Sequence, residues 1–141
     1  MTARVRLIEH GIVLQDFSNL ADSVTALAAF QEARAFMQQR PRNARTLVLT
    51  NVTDSTFNQE VVNDIRALAV HHKPWVRASA IFGLTPIMRV VCRAVLALTG
   101  RDIRIFETSE QAVEYLLSIN DPASAEPASP QKPAGPPSGR R

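Results

Sequence analysis

Thr46-Leu47-Val48-Leu49-Thr50-Asn51-Val52 is a short, largely apolar and β-branched run, and it breaks directly into Thr53-Asp54-Ser55-Thr56. An apolar run of this length, bounded by turn residues, reads as a strand buried on both faces, as in a parallel sheet. Thr56 and Gln59 have capping-box spacing, and Phe57, Val61, Ile65 and Leu68 follow at helical intervals. That helix stops near His72, ahead of Pro74, and Val76–Leu84 (VRASAIFGL) is a second buried-strand candidate. Strand, helix and strand in this order make a βαβ unit.

The same alternation extends outward in both directions. Downstream, Thr85-Pro86 supplies a capping hydroxyl and then proline at the first helical position, so a helix is expected to run to Thr99, with Gly100 as its stop. Asp102–Glu107 follows as a strand with Ile103 and Ile105 on one side and Arg104 and Phe106 on the other. Thr108 and Gln111 form another capping box before a last helix through about Ile119, with Ala112, Val113, Leu116 and Leu117 as its apolar positions. Upstream, Arg4–Ile8 and Ile12–Phe17 flank His10-Gly11 as a hairpin. Asn19 with Asp22 has capping-box spacing before a helix through about Gln39; Leu20, Val24, Leu27, Phe30 and Ala33 form its stripe and Pro41 enforces its end. The expected fold is α/β: a mixed, mostly parallel sheet with an N-terminal antiparallel hairpin and about four helices.

Composition sets the domain limits. Of the nine prolines in 141 residues, six lie between Pro122 and Pro137, and from Asp121 onward there is no Val, Ile, Leu, Met or aromatic residue. A segment with nothing apolar to bury cannot offset the entropy of ordering, so residues 121–141 are expected to be a disordered Pro/Ala/Ser-rich tail behind a domain of residues 1–120. Residues 1–120 hold 13 basic and 11 acidic side chains, a net charge of +2. This balance gives no basic face that would call for nucleic acid. Cys92 is the only cysteine, which excludes an intramolecular disulfide and a thiolate metal cluster. The start, MTARVRLIEHG, lacks a long apolar run, and nothing in the chain approaches the roughly 20 apolar residues of a membrane span. A cytoplasmic protein without an integral membrane segment is expected.

No catalytic set is complete, and no cofactor or metal is expected. His71 and His72 are neighbours on a helix, so their side chains diverge by about 100° and a shared ion is disfavoured. His72 continues the apolar stripe from Leu68, whereas His71 falls on the polar side. Asp16 and Asp54 both follow strands, as a phosphoacceptor would, but Lys73 and Lys132 are the only lysines and neither is placed to assist. Two features remain. Asp54, Ser55 and Thr56 lead from a buried strand to a helix N-terminus, which suits an anion or a phosphate on either hydroxyl; the competing reading is that they are capping and turn residues. The helix after Pro86 holds only Arg89 and Arg93 as charges between Ile87 and Leu98. With Ile87, Met88 and Val91, it is either buried on several sides or offers an apolar strip to a partner.

Four strings carry a family likeness: Gly11-Ile-Val-Leu-Gln-Asp-Phe-Ser18, Leu47-Val-Leu-Thr-Asn-Val-Thr-Asp54, Val76-Arg-Ala-Ser-Ala-Ile-Phe-Gly83, and Ile105-Phe-Glu-Thr-Ser-Glu-Gln-Ala112 with Tyr115-Leu116. Together they resemble the small bacterial SpoIIAA-like proteins, grouped with STAS (sulfate transporter and anti-sigma factor antagonist) and CRAL-TRIO lipid-binding domains. The resemblance spans about residues 5–118, rests on structural motifs, and implies a STAS/SpoIIAA-like fold. In regulatory STAS proteins a Ser or Thr at the helix N-terminus after a central strand is phosphorylated by a partner kinase that doubles as an anti-sigma factor. The corresponding segment here, Thr53–Asn58, departs from the family's Asp-Ser-Ser-Gly-like string, because no glycine follows Ser55. The expected function is a non-catalytic regulatory module, regulated or docked through the 51–59 loop and the adjoining helix, that binds a protein partner, of kinase or anti-sigma type or a second copy of itself. The alternative is a carrier of a small apolar ligand or lipid that uses the 84–99 helix.

Overall fold

The computed structural model describes residues 3–120; the proposed tail lies outside them. A five-stranded sheet carries four helices: β1 (Val5–Leu7), β2 (Ile12–Asp16), α1 (Ser23–Gln38), β3 (Thr46–Asn51), α2 (Gln59–His72), β4 (Val76–Phe82), α3 (Pro86–Leu96), β5 (Ile103–Phe106) and α4 (Ser109–Asn120). The strands lie side by side in chain order; β1 pairs antiparallel with β2 and every other pair is parallel. The expected α/β architecture is the one observed.

Chain-order strands have a direct consequence for layering. Each parallel crossover steps the same way, so right-handed connections place α1, α2 and α3 on one face of the sheet. Packing agrees: Val13, Val48 and Ile81 join Phe30, Met37, Leu68 and Leu96 in one core. Only α4 returns to the other face, where Ala112 and Leu116 cover Ile12, Leu47, Leu49, Ala78 and Ala80. Among the described residues the strand order never reverses, so this sheet has no topological switch point and lacks the crevice that such a reversal opens in doubly wound sheets.

Some of the capping signals hold in the structure and others shift. Thr85 caps α3, its hydroxyl accepting from Met88 N at 3.2 Å, Pro86 sits in the first turn, and Gly100 closes the segment in the left-handed region at φ 72°. The Thr108–Gln111 box is reciprocal: Gln111 N donates to Thr108 Oγ1 at 3.2 Å and Thr108 N to Gln111 Oε1 at 3.3 Å. The other two boxes need correction. Asp22, not Asn19, caps α1, accepting from Thr25 N at 2.8 Å, and Asn58, not Thr56, caps α2, accepting from Val61 N at 2.8 Å. Moving the start of α1 to Ser23 also changes its inward face. Ala26, Ala29, Phe30, Ala33 and Met37 are buried, Val24 is 81% exposed, and Leu20 is buried from the preceding loop. Alanines let α1 approach the sheet closely, and Glu32 accepts from Val5 N at 2.8 Å, which occupies a donor of the edge strand.

Candidate functional site

Between the sheet and helices α2 and α3 lies a cavity of about 50 Å³. Its walls are mostly apolar, with Phe17, Leu68, Ile81, Leu84 and Cys92 among them. Five polar side chains also reach it: Gln15, Thr50, His72, Ser79 and Arg101. All but Arg101 are buried.

Four of the strands and helices contribute to one hydrogen-bond chain. Gln15 Nε2 donates to Thr50 Oγ1 at 2.9 Å, and Gln15 Oε1 lies 2.8 Å from His72 Nε2. His72 Nδ1 is 3.0 Å from His71 Nδ1, and His71 Nε2 is 3.3 Å from Gln38 Nε2. Only one protonation pattern satisfies every link. His72 donates from Nε2 to the Gln15 carbonyl, so its neutral ring accepts at Nδ1 from His71; His71 then accepts at Nε2 from the Gln38 amide. Both imidazoles are neutral. Burial holds the His72 pKa down to about 3, reinforced by the repulsion a proton on it would meet from His71, Arg101 and Arg34, and burial also lowers that of His71. The two rings were expected to diverge, yet they meet edge-on with centroids 5.2 Å apart, and His71 stacks on Trp75 at 5.1 Å.

Arg101 enters from the segment between α3 and β5. Its NH1 donates to the Ala69 carbonyl at 3.0 Å and its NH2 to the Ser79 hydroxyl. No carboxylate pairs with it among the described residues. Burial alone pulls its pKa down to about 10, so the guanidinium remains a cation in a poorly solvated place.

Ser55, Asp54 and Thr56 stand beyond the C-terminal end of β3 and do not line this cavity, although Val52 and Phe57 on either side of them do. Ser55 Oγ donates to the Phe17 carbonyl at 2.5 Å and accepts from Leu20 N at 2.9 Å, tying the β2–α1 loop to the β3–α2 loop. Asp54 and Thr56 are exposed, and Asp54 adopts a positive φ of 59°. Several backbone donors that would cradle an anion are occupied. Thr53 N donates to Asn51 Oδ1, Ser55 N to the Val52 carbonyl and Thr56 N to the Leu20 carbonyl. The geometry here is that of a loop clamp. Neither Asp16 nor Asp54 lines the cavity that His72 lines.

Helix α3 presents two unlike faces. Cys92 and Leu96 are buried against the core, and burial raises the Cys92 thiol above its ordinary pKa. Met88, Arg89 and Val91 are half-buried, and Arg93 is exposed. Arg89 reaches Glu107 at 3.6 Å, holding the helix to the β5–α4 turn. On the outer face Ile87 is 76% exposed, Val90 66%, and Leu98, just beyond the helix, 72%. With exposed Ala94 and Ala97 between them, these positions recur at helical spacing and make a continuous apolar strip.

No group of three or more His, Cys, Asp or Glu side chains is placed to hold a metal among the described residues, and no described helix is long and apolar enough to cross a membrane. Comparison of the chain with protein-family models, with curated proteins and with solved structures finds no match in any of the three.

Sequence reasoning located α3 but not the polar chain. Gln15 lies inside a strand and Arg101 just after the Gly100 helix stop, and neither position carries a local motif. One signal was available: a glutamine at an inward position of a buried strand requires a partner, and His72 on an apolar helical stripe requires one too.

Proposed function

We propose that this domain is a non-catalytic, STAS-like interaction module that docks a protein partner through the outer face of α3. The observation that carries the reading is the strip Ile87–Val90–Leu98, three large apolar side chains in water along one line of the helix. Covering this face would gain about 1.5–3 kcal/mol for each large side chain fully removed from water. The strip suits helix-in-groove docking, which reads anchors at i, i+3, i+7 and similar intervals. Arg93 on its margin favours a partner with acidic groups beside its apolar anchors. The β3–α2 loop serves in this reading as a rigid boundary to the module, with Thr56 as its accessible hydroxyl. The lipid-carrier alternative draws less support, because about 50 Å³ of internal space takes only a few atoms and not an acyl chain.

The test is a photo-crosslinking residue placed at Val90 in the full chain, expressed in its native cell, with Val24 on α1, which is at least as exposed, as the control. The module reading expects a discrete protein adduct from position 90 and none from position 24. An adduct of twice the chain mass would identify the partner as a second copy. Equal diffuse labelling from both positions would sink the proposal.

A further inference from the structure

We infer that the hollow between β5 and α4 is a docking groove for this chain's own proline-rich segment, residues 127–141. It lies by the helix on the opposite face of the sheet from α3 and is independent of the docking strip. Pro127, Pro130, Pro133 and Pro136 recur at every third position. A polyproline II helix turns once in three residues, so in that conformation the four rings stand along one edge. Such a ridge is pre-organised and docks on aromatic-lined grooves. The same segment carries Lys132, Arg140 and Arg141 and no acidic residue.

The hollow matches both features. It measures about 500 Å³, and its walls include Phe106, Glu107, Gln111, Glu114, Tyr115 and Ser118. The Phe106 and Tyr115 rings are half-buried, with centroids 5.5 Å apart, and form an aromatic wall. Arg104 stands over the Tyr115 ring at 5.3 Å, but Asp102 at 3.1 Å offsets its charge. Glu107 meets Arg89 at 3.6 Å, whereas Glu114 is exposed and has no ion pair among the described residues. The groove thus offers aromatic faces beside one uncommitted carboxylate.

Reach and direction agree. Helix α4 ends at Asn120, and residues 121–126 can span up to about 20 Å. The α4 wall of the hollow runs from Ser118 back to Gln111, about 10 Å, so a chain that doubles back past Asn120 covers it with slack. With Pro130 on the Tyr115 ring, Lys132 falls about 6 Å farther along, beside the turn of α4 that carries Glu114 and Gln111. A short tether holds the segment at an effective concentration of about 1 mM, so an intrinsic Kd of about 1 mM gives about half occupancy.

The experiment reads amide NMR spectra of the full chain at neutral pH. Pro130→Ser with Pro133→Ser interrupts the ridge and should move the Gln111, Glu114 and Tyr115 amides; Pro122→Ser with Pro137→Ser leaves the ridge intact and should not. A peptide of residues 127–141, PASPQKPAGPPSGRR, added to the first variant should restore the wild-type positions saturably, with a Kd of about 1 mM. Adding Glu114→Lys to that variant, at an exposed position, should weaken the peptide about two- to fivefold, and a peptide carrying Lys132→Glu should regain the loss. Equal shifts in the two proline pairs, peptide shifts that never saturate, or an affinity indifferent to Glu114→Lys would each overturn the groove. Wild-type shifts should also survive about tenfold dilution, as a tethered ligand requires; shifts that fade would assign the groove to a second copy and overturn the intramolecular docking.

Discussion

Acidification from pH 7.5 to 5.0 should destabilise this domain, chiefly through His72. Its ring is buried, its Nε2 is committed to Gln15 and its Nδ1 to His71, and its pKa is held at about 3 against an ordinary 6.5. The unfolded chain therefore binds a proton that the folded chain refuses, so stability falls as pH drops below 6.5. At about 1.36 kcal/mol per pKa unit, the loss from this group is about 2 kcal/mol at pH 5.0 and rises toward about 4–5 kcal/mol by pH 3. Carboxylates contribute little in the upper window, because at pH 5.0 most Asp and Glu remain ionised in both states. The Asp22 cap, whose carboxyl is held below its usual range by its bonds to Thr25, weakens only at lower pH. His71 acts in the same direction as His72, since burial also lowers its pKa. Urea unfolding followed by circular dichroism at the two pH values measures the effect. With a slope of about 1.5–2 kcal/mol/M for a domain of this size, the wild-type midpoint should fall by about 1 M. His72→Gln should lose most of that dependence and keep a residue of it from His71. A wild-type midpoint that moves by less than about 0.3 M, or a variant as acid-sensitive as the parent, would refute the buried neutral histidine.

Three further outcomes are expected. Gly83 has φ 96°, and a Cβ there would meet Thr53 N at 2.7 Å and Thr53 Cα at 2.9 Å, so Gly83→Ala should cost about 3 kcal/mol or more; a melting temperature within 2 °C of wild type would contradict this. Ser55→Ala removes both bonds of the loop clamp and should cost about 1–3 kcal/mol, while Thr56→Ala, at an exposed position, should stay within about 0.5 kcal/mol. Denaturation midpoints that rank the two the other way would remove the clamp from the account. Cys92 should react with an aromatic disulfide reagent orders of magnitude more slowly in the folded chain than in urea, because its thiol is buried and its pKa raised; comparable rates would place it at the surface.

Much of the architecture was legible because strand runs, prolines and capping residues repeat one message. Pro41, Pro74 and Pro86 each fall at a helix boundary, and Thr85, Gly100 and the Thr108–Gln111 pair behave as their types predict. The α1 stripe was misread because Val24 and Leu27 keep helical spacing with Phe30, while the alanines that pack carry a weaker hydrophobic signal. Thr56 lost the cap to Asn58 because its backbone N–H is drawn to Leu20, which postpones the start of α2. The outward strip on α3 could be suspected from composition, but which of its sides meets the core depends on how α3 sits beside α2, a tertiary matter. The Gln15–His72 pair joins residues 57 positions apart in the chain, beyond the reach of any local pattern.

The central claim is that the outer face of α3 is a docking surface, and crosslinking from position 90 tests it most directly. Val90 is 66% exposed, so its replacement should change stability by no more than about 0.5 kcal/mol. The account predicts one dominant protein adduct from position 90 in native cells, lost when Ile87→Lys and Leu98→Lys are added, with no counterpart from Val24. Indistinguishable labelling from positions 90 and 24, or an adduct that survives both lysines, would contradict it.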